Sequence, residues 1–480
     1  MGKRDTLKSV IATLSASEKR YLKLMGQVQP GDKSYLQLFD AIDKHGDSNA
    51  RKINAKLNFS DKQLADNKRY LIQAIYKALR TIEEPEWKVP ELLKSVIDIN
   101  NLNERGLYDV SLALIEKTME QANHFEKYTV IIALLNSKVT ALIGLGRINE
   151  LEQVSIDLKN VSNTNNEFMQ FVAVGRAIQM HCAAATDTSK QQVQQLLKHP
   201  LMQKSPSDFS CTRSASYWFN NYQQAYYLLG EQDKLVETTR NMVDYYQKHP
   251  RYIDIDAASV ILSQITLSQV EIIGKNYDAA LKLLQGLMSY INNPPKYLSP
   301  ISYSEVRFFI LHTHAHLLLV TGKYKEAYQV NLEIYQTMSD RKLHERYNIV
   351  HNIALTLLHL GKTQEAYEKL EELLQMGDDI RSDLQMSVRP AIILAQLDMK
   401  NYQVVPYLIK SAKAWLKRKK ISNKELSDFF HYTYAIAKAA PLQRHEAWDR
   451  FLEALKNGEM KNLNESLYTL EEWLISKKRT

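Results

Sequence analysis

Gly322-Lys323-Tyr324-Lys325-Glu326-Ala327 is a short turn pattern that this chain repeats. A glycine just past a helix end adopts the left-handed conformation at little steric cost, so the backbone can reverse direction there. The aromatic residue two positions later begins a new helix and packs back on the preceding one. The alanine five positions after the glycine is small enough for two antiparallel helices to cross closely. The segment therefore predicts a helical hairpin.

Related turns share a glycine, a bulky or polar residue two positions on, and a small or apolar residue five positions on. They begin at Gly106, Gly146 and Gly361, with a weaker copy at Gly230. Two further copies are variant, because Gly274 has one extra residue in its turn and Lys400 stands where the glycine would be.

The spacing of these turns indicates a repeated unit. Successive turns lie 39 to 48 residues apart, except that 84 residues, or two periods, separate Gly146 from Gly230. We therefore expect one more turn near Asp187, before a helix over residues 190–199. Repeats at such periods are typical of stacked helical hairpins.

The composition agrees with a helical protein. The chain has 480 residues, of which 45% are apolar and 24% charged, which is ordinary for a folded domain. Only 15 glycines and 12 prolines occur, too few for a β-sandwich or barrel with many tight turns. We expect an all-α fold with three parts, namely an N-terminal helical module (1–90), a repeat array (91–440) and C-terminal capping helices (441–480).

On these turn motifs, residues 91–440 resemble the tetratricopeptide-repeat (TPR) superfamily. The units are longer than the TPR unit of about 34 residues. The resemblance implies a right-handed superhelical α-solenoid of TPR-like hairpins. It also implies a non-catalytic scaffold that binds a protein or peptide on its concave face.

The resemblance also implies which side chains line that face, because the first helix of each TPR hairpin does so. Counting back 13, 10 and 6 residues from each turn glycine selects amide, imidazole and aromatic side chains. The candidate peptide-binding residues are Asn136, Tyr217, Asn220, Gln224, Phe309, His312, His316, Asn348 and His351. Amides suit a bound peptide backbone, and rings suit its apolar side chains.

The ends of the chain carry its positive charge and leave an alternative function open. Residues 1–90 hold 17 basic and 11 acidic side chains, and residues 401–480 hold 15 and 9. The alternative is a ligand-responsive regulator whose basic N-terminal helices, around residues 67–73, contact nucleic acid. The N-terminal helices are marked by two capping boxes, Ser15 to Glu18 and Ser60 to Gln63.

No complete catalytic motif is present in the sequence, so we expect no enzyme and no cofactor. His344-Glu345 and His445-Glu446 lack the second histidine of a zinc protease, and Asp32 interrupts a phosphate-loop pattern between Gly31 and Lys33. The run from His312 to His316 could bind metal or sense pH, but ordinary packing or groove histidines are the favoured interpretation.

Two cysteines without a CxxC pair favour a reducing compartment. No apolar run is long enough to cross a bilayer. We therefore expect a cytoplasmic protein with no metal and no membrane segment.

Overall fold

The computed structural model describes most of the chain. The described residues are 6–12, 14–28, 33–45, 57–81, 88–184, 187–296, 298–337, 343–375, 382–419, 421–467 and 470–478. Every regular element in these ranges is helical. The failed phosphate-loop pattern at Gly31 and Asp32 lies outside them. The helices form two compact units, residues 1–87 and 88–480.

The first unit contains four helices around a small apolar core. Leu38, Phe39 and Leu71 are fully buried in it. Both predicted capping boxes are confirmed: the Glu18 backbone N–H donates to Ser15 Oγ, and the Gln63 backbone N–H donates to Ser60 Oγ. The helices are α1 (Thr6–Ala12), α2 (Ala16–Val28), α3 (Ser34–His45) and α4 (Asp61–Thr81).

The second unit is a stack of helical hairpins. Its first helices are α5 (Lys88–Glu104), α6 (Tyr108–His124), α7 (Tyr128–Gly144), α8 (Leu151–Ala184), α9 (Asp187–Leu196), α10 (Thr212–Leu229), α11 (Gln232–Lys248) and α12 (Tyr252–Ile273). The remainder are α13 (Tyr277–Asn292), α14 (Pro300–Val320), α15 (Tyr324–Thr337), α16 (Leu343–His359), α17 (Thr363–Gln375), α18 (Ser382–Asp398), α19 (Val405–Lys419), α20 (Lys424–Lys438), α21 (Arg444–Lys456), α22 (Lys461–Ser466) and α23 (Leu470–Lys478).

Consecutive helices of this unit pack against each other, and several first helices also pack on the first helix of the next hairpin. The alanines predicted at the helix crossings are buried, since Ala280, Ala327 and Ala366 are 0% exposed. The prediction of an all-α solenoid made of TPR-like hairpins is therefore confirmed.

The hairpin turns lie at the predicted positions. Gly106, Gly146, Gly230, Gly322 and Gly361 have φ angles between 72° and 74°, the left-handed region that favours glycine. No atom lies within 4 Å of the Cβ that any of these five glycines would carry. Backbone conformation, rather than crowding, therefore selects glycine there.

Two turns place a lysine in the left-handed conformation instead. Lys275 has a φ of 61° and Lys400 a φ of 62°. Gly274 itself ends α12 at a φ of −73°, so the predicted extra residue in its turn is wrong. Counted from Lys275, the aromatic Tyr277 and the small Ala280 have the same spacing as in the other turns.

This difference predicts opposite effects of reciprocal substitutions. Lys400→Gly should raise the free energy of unfolding by about 0.5 kcal/mol, because relief of left-handed strain exceeds the entropy that glycine adds to the unfolded chain. Gly322→Ala should lower it by about 1 to 2 kcal/mol. Urea denaturation followed by circular dichroism measures both. Changes of the same sign would contradict the argument.

One helix is longer than the repeat predicts. The α8 helix runs unbroken for 34 residues, from Leu151 to Ala184. Its first half shares a core with α7 through Val154, and its second half shares another with α9 and α10 through Phe171 and Ile178. The α9 helix begins at Asp187, three residues before the predicted start. The α8 helix thus serves as second helix of one hairpin and first helix of the next.

Across the described residues, no helix combines the length and the hydropathy needed to span a bilayer.

Candidate functional site

The surface that we call the first-helix face consists of side chains 13, 10 and 6 residues before each left-handed turn residue. It runs over the first helices of the hairpins, of which α10 packs on α12 and α12 on α14. Exposure varies along it. Asn136 on α7 is exposed, and six of the predicted residues are partly exposed, namely Tyr217, Asn220, Gln224, Phe309, His312 and His316. Asn348 is also partly exposed.

On α10 the amide side chains divide between the interior and the first-helix face. Asn221 is 1% exposed, and its amide donates to the Phe171 carbonyl at 3.3 Å. Gln223 is 8% exposed and donates to Thr239 Oγ1 at 2.9 Å. Their neighbours Asn220 and Gln224 lie at the predicted offsets and remain partly exposed. The inner amides join helices, whereas the outer two can reach a ligand.

A carboxylate from a distant turn holds the start of α10. The Thr212 and Arg213 backbone N–H groups donate to the two oxygens of Glu126, at 3.0 and 3.2 Å, and the Thr212 hydroxyl donates as well. These N–H groups are among those that a helix start leaves unpaired, and a carboxylate there also complements the helix dipole. Glu126 thereby positions α10 relative to the α6–α7 turn.

Next to this contact lies an aromatic cluster that includes a predicted site residue. The Tyr217 ring meets Phe168 edge to face, with centroids 5.4 Å apart. The Arg213 guanidinium lies 4.5 Å from the centroid of the Phe168 ring. A cation held over a ring in this way adds a positive charge beside the partly exposed Tyr217.

The α14 histidines are held in an apolar setting. His312 stacks on Phe308, with centroids 5.7 Å apart and planes 19° from parallel. Burial lowers the pKa of His312, and burial together with the nearby His312 lowers the pKa of His316 to about 4. Both rings are therefore neutral at pH 7 and offer one donor and one acceptor nitrogen each.

On α16 the structure buries one of the predicted residues. His351 is 5% exposed and shares a 2.9 Å hydrogen bond between its Nε2 and Ser387 Oγ of α18. Burial lowers its pKa to about 4. We therefore assign His351 to packing between α16 and α18 and leave it out of the binding surface proposed below.

Sequence reasoning missed what covers the first-helix face on α16. Leu355 lies six residues before Gly361, and it lines a shared interface with Leu467, Leu470 and Trp473 from the end of the chain. The Trp473 indole N–H donates to the Leu358 carbonyl at 3.3 Å, across 115 residues. A contact between such distant segments leaves no local pattern that could have predicted it.

The other sequence-based candidates bring no chemistry together. Among the described residues, no three His, Cys, Asp or Glu side chains are grouped as metal ligands. Cys182 and Cys211 are both free thiols. On α4, Arg69 lies 3.4 Å from Asp66, which offsets part of the basic character of residues 67–73. A nucleic-acid contact through these helices stays a prediction.

Comparison with known proteins identifies similar solved structures only. No protein-family model and no curated protein matches the chain. The TPR-like repeats of a kinesin light chain from Podospora anserina are 19% identical, covering 43% of this chain and 95% of that one, with a TM-score of 0.33. The apo form of RapI is 12% identical, covering 81% of this chain and 97% of that one, with a TM-score of 0.37.

Proposed function

We propose that this protein is a non-catalytic scaffold that binds a protein or peptide on the first-helix face of α10 and α14. The observation that supports it best is the division of amides on α10. Asn221 and Gln223 meet the needs of packing, so Asn220 and Gln224 remain available on the same helix. Phe309, His312 and His316 continue the surface on α14 with neutral rings.

The chemistry of this surface suits an extended peptide. Asparagine and glutamine each offer donors and an acceptor, so they can pair with both the N–H and the C=O of a peptide backbone. Tyr217 and Phe309 offer ring faces for apolar side chains. Few charged groups lie at the predicted positions, so we expect selection by backbone and apolar contacts rather than by an acidic terminus.

A substitution experiment tests this proposal. Peptides would be selected from a random display library on the wild-type protein, and their Kd values measured by fluorescence anisotropy. The double variant Asn220→Ala/Gln224→Ala should weaken binding at least about tenfold, because each lost hydrogen bond costs about 1 kcal/mol. Circular dichroism should remain unchanged, since both side chains lie outside the packed interior.

The matched control is Gln285→Ala, which removes an exposed amide from α13, a second helix of a hairpin. It should leave the Kd unchanged. Peptides that bind the double variant as tightly as the wild type would contradict a site on α10. The free thiols and the absence of a CxxC pair support a reducing compartment, and we place the scaffold in the cytoplasm on that ground.

A further inference from the structure

The end of the chain lies on the first-helix face of the hairpins that begin with α16 and α18. Leu355 lies six residues before Gly361, and Leu394 lies six residues before Lys400. These are the offsets that Gln224 and His316 have in earlier hairpins. Both leucines contact the C-terminal segment and are 2% and 3% exposed. The segment therefore covers the part of the array equivalent to the peptide surface proposed above.

The segment presents one apolar side to this surface. Leu470, Trp473 and Leu474 are 1%, 3% and 3% exposed, and their spacing puts them on one face of α23. Leu467, just before α23, is equally buried. The cavity left between the two sides is only about 10 Å³, too small for more than one water molecule. Apolar anchors at this spacing in a helical groove are a known mode of helix recognition.

Polar contacts border the apolar interface. The Tyr324 hydroxyl donates to Glu472 at 3.2 Å, and the Tyr324 ring stacks on His359 with centroids 4.3 Å apart. The His359 Nε2 lies 3.4 Å from the Leu467 carbonyl oxygen. Two first-helix and turn residues thus recognise the backbone and a carboxylate of the segment, while the leucines and the tryptophan supply the buried area.

We propose that the surface made by Leu355, Leu358, His359 and Leu394 is a receptor for amphipathic helices. The chain's own α23 occupies it in this structure, and a partner helix with a Leu-x-x-Trp-Leu face replaces α23 on binding. This proposal rests on the proposed function, since it names a class of partner for the same face of the array. It differs in the hairpins used and in the helical form of the ligand.

A peptide supplied in trans tests the receptor. A fluorescein-labelled peptide with the sequence of residues 461–480 would be titrated into the full-length wild-type chain and into full-length Leu470→Ala/Trp473→Ala. The wild type should bind weakly, because its tethered copy competes at a high effective concentration. The variant should bind at least tenfold more tightly, and a scrambled peptide should bind neither. Adding His359→Ala to the variant should weaken binding at least threefold.

The milder full-length variant Trp473→Phe separates docking from folding. It keeps the apolar ring but removes the N–H that Leu358 accepts, so it should take up the peptide to an intermediate extent with an unchanged melting temperature. Folded variants that do not bind the peptide would overturn the proposal. So would loss of helicity in both variants, because α23 would then be a structural cap.

The two proposals can fail separately. If library peptides depend on Asn220 and Gln224 while the C-terminal peptide never binds, only the receptor on α16 and α18 is wrong. If the C-terminal peptide binds the variant but no library peptide depends on Asn220 and Gln224, the site on α10 is wrong and the receptor stands.

Discussion

Phe171→Ala should lower the free energy of unfolding by about 3 to 5 kcal/mol. Phe171 is 0% exposed on the second half of α8, where it shares a core with Val174, Ile178 and Val193. Its ring meets Phe209 edge to face at 4.8 Å. Removal of the ring leaves a cavity between three helices, and close packing limits how far they can collapse into it. Urea denaturation followed by circular dichroism measures the loss.

The control for this prediction lies two residues earlier on the same helix. Met169 is 49% exposed, so Met169→Ala should change stability by no more than about 0.5 kcal/mol. The helix propensity of alanine acts similarly in both variants. Equal effects of the two substitutions would show that Phe171 is not at the centre of a packed cluster.

Acid should destabilise the protein through His351. Its pKa is about 4 in the folded protein and about 6.5 in the unfolded chain. The unfolded state therefore binds more protons between these values, and stability falls as the pH drops from 6.5 towards 4. At pH 4.5 the loss due to this one residue is about 2 to 3 kcal/mol.

Comparing pH profiles isolates this contribution. The wild type and His351→Asn would be unfolded in urea at pH 7.5 and at pH 4.5, and the difference between the two free energies taken for each protein. That difference should be smaller in the variant by about 2 to 3 kcal/mol, because asparagine binds no proton in this range. Identical pH dependence in both proteins would exclude His351 as a source of acid sensitivity. His316, whose pKa is also about 4, should behave in the same direction.

The repeated hairpins could be predicted from the sequence because their signal is local. A glycine at the turn and alanines such as Ala327 and Ala366 each reflect a constraint within one hairpin. The Gly274 turn was predicted with an extra residue because glycine was assumed to be the left-handed residue. The structure places Lys275 there, since a lysine can adopt that conformation at a modest energetic cost.

The continuity of α8 could not be predicted in the same way. Residues 162–166 are Ser-Asn-Thr-Asn-Asn, a run that favours turns in isolation because these side chains compete for backbone hydrogen bonds. In the folded protein the run is helical throughout, between residues that pack on α7 and residues that pack on α10. Tertiary packing therefore overrides local preference at this point.

The candidate site was predictable only in part, because exposure depends on distant segments. The offset that selects Gln224 and His316 also selects Leu355, but the end of the chain covers Leu355. His351 was selected by the same counting, and a serine 36 residues later on α18 is its hydrogen-bond partner. Counting residues locates a face of a helix, whereas only the fold determines what lies against it.

The unbroken α8 has a mechanical consequence for the array. Where neighbouring hairpins are joined by a loop, each can melt or tilt without its neighbour, and fraying can advance from a terminus one hairpin at a time. Two hairpins that share a single rod must bend, shear or melt together. The stretch from α7 to α10 should therefore act as a stiff segment, at which both unfolding from the ends and spring-like flexing of the stack come to a halt.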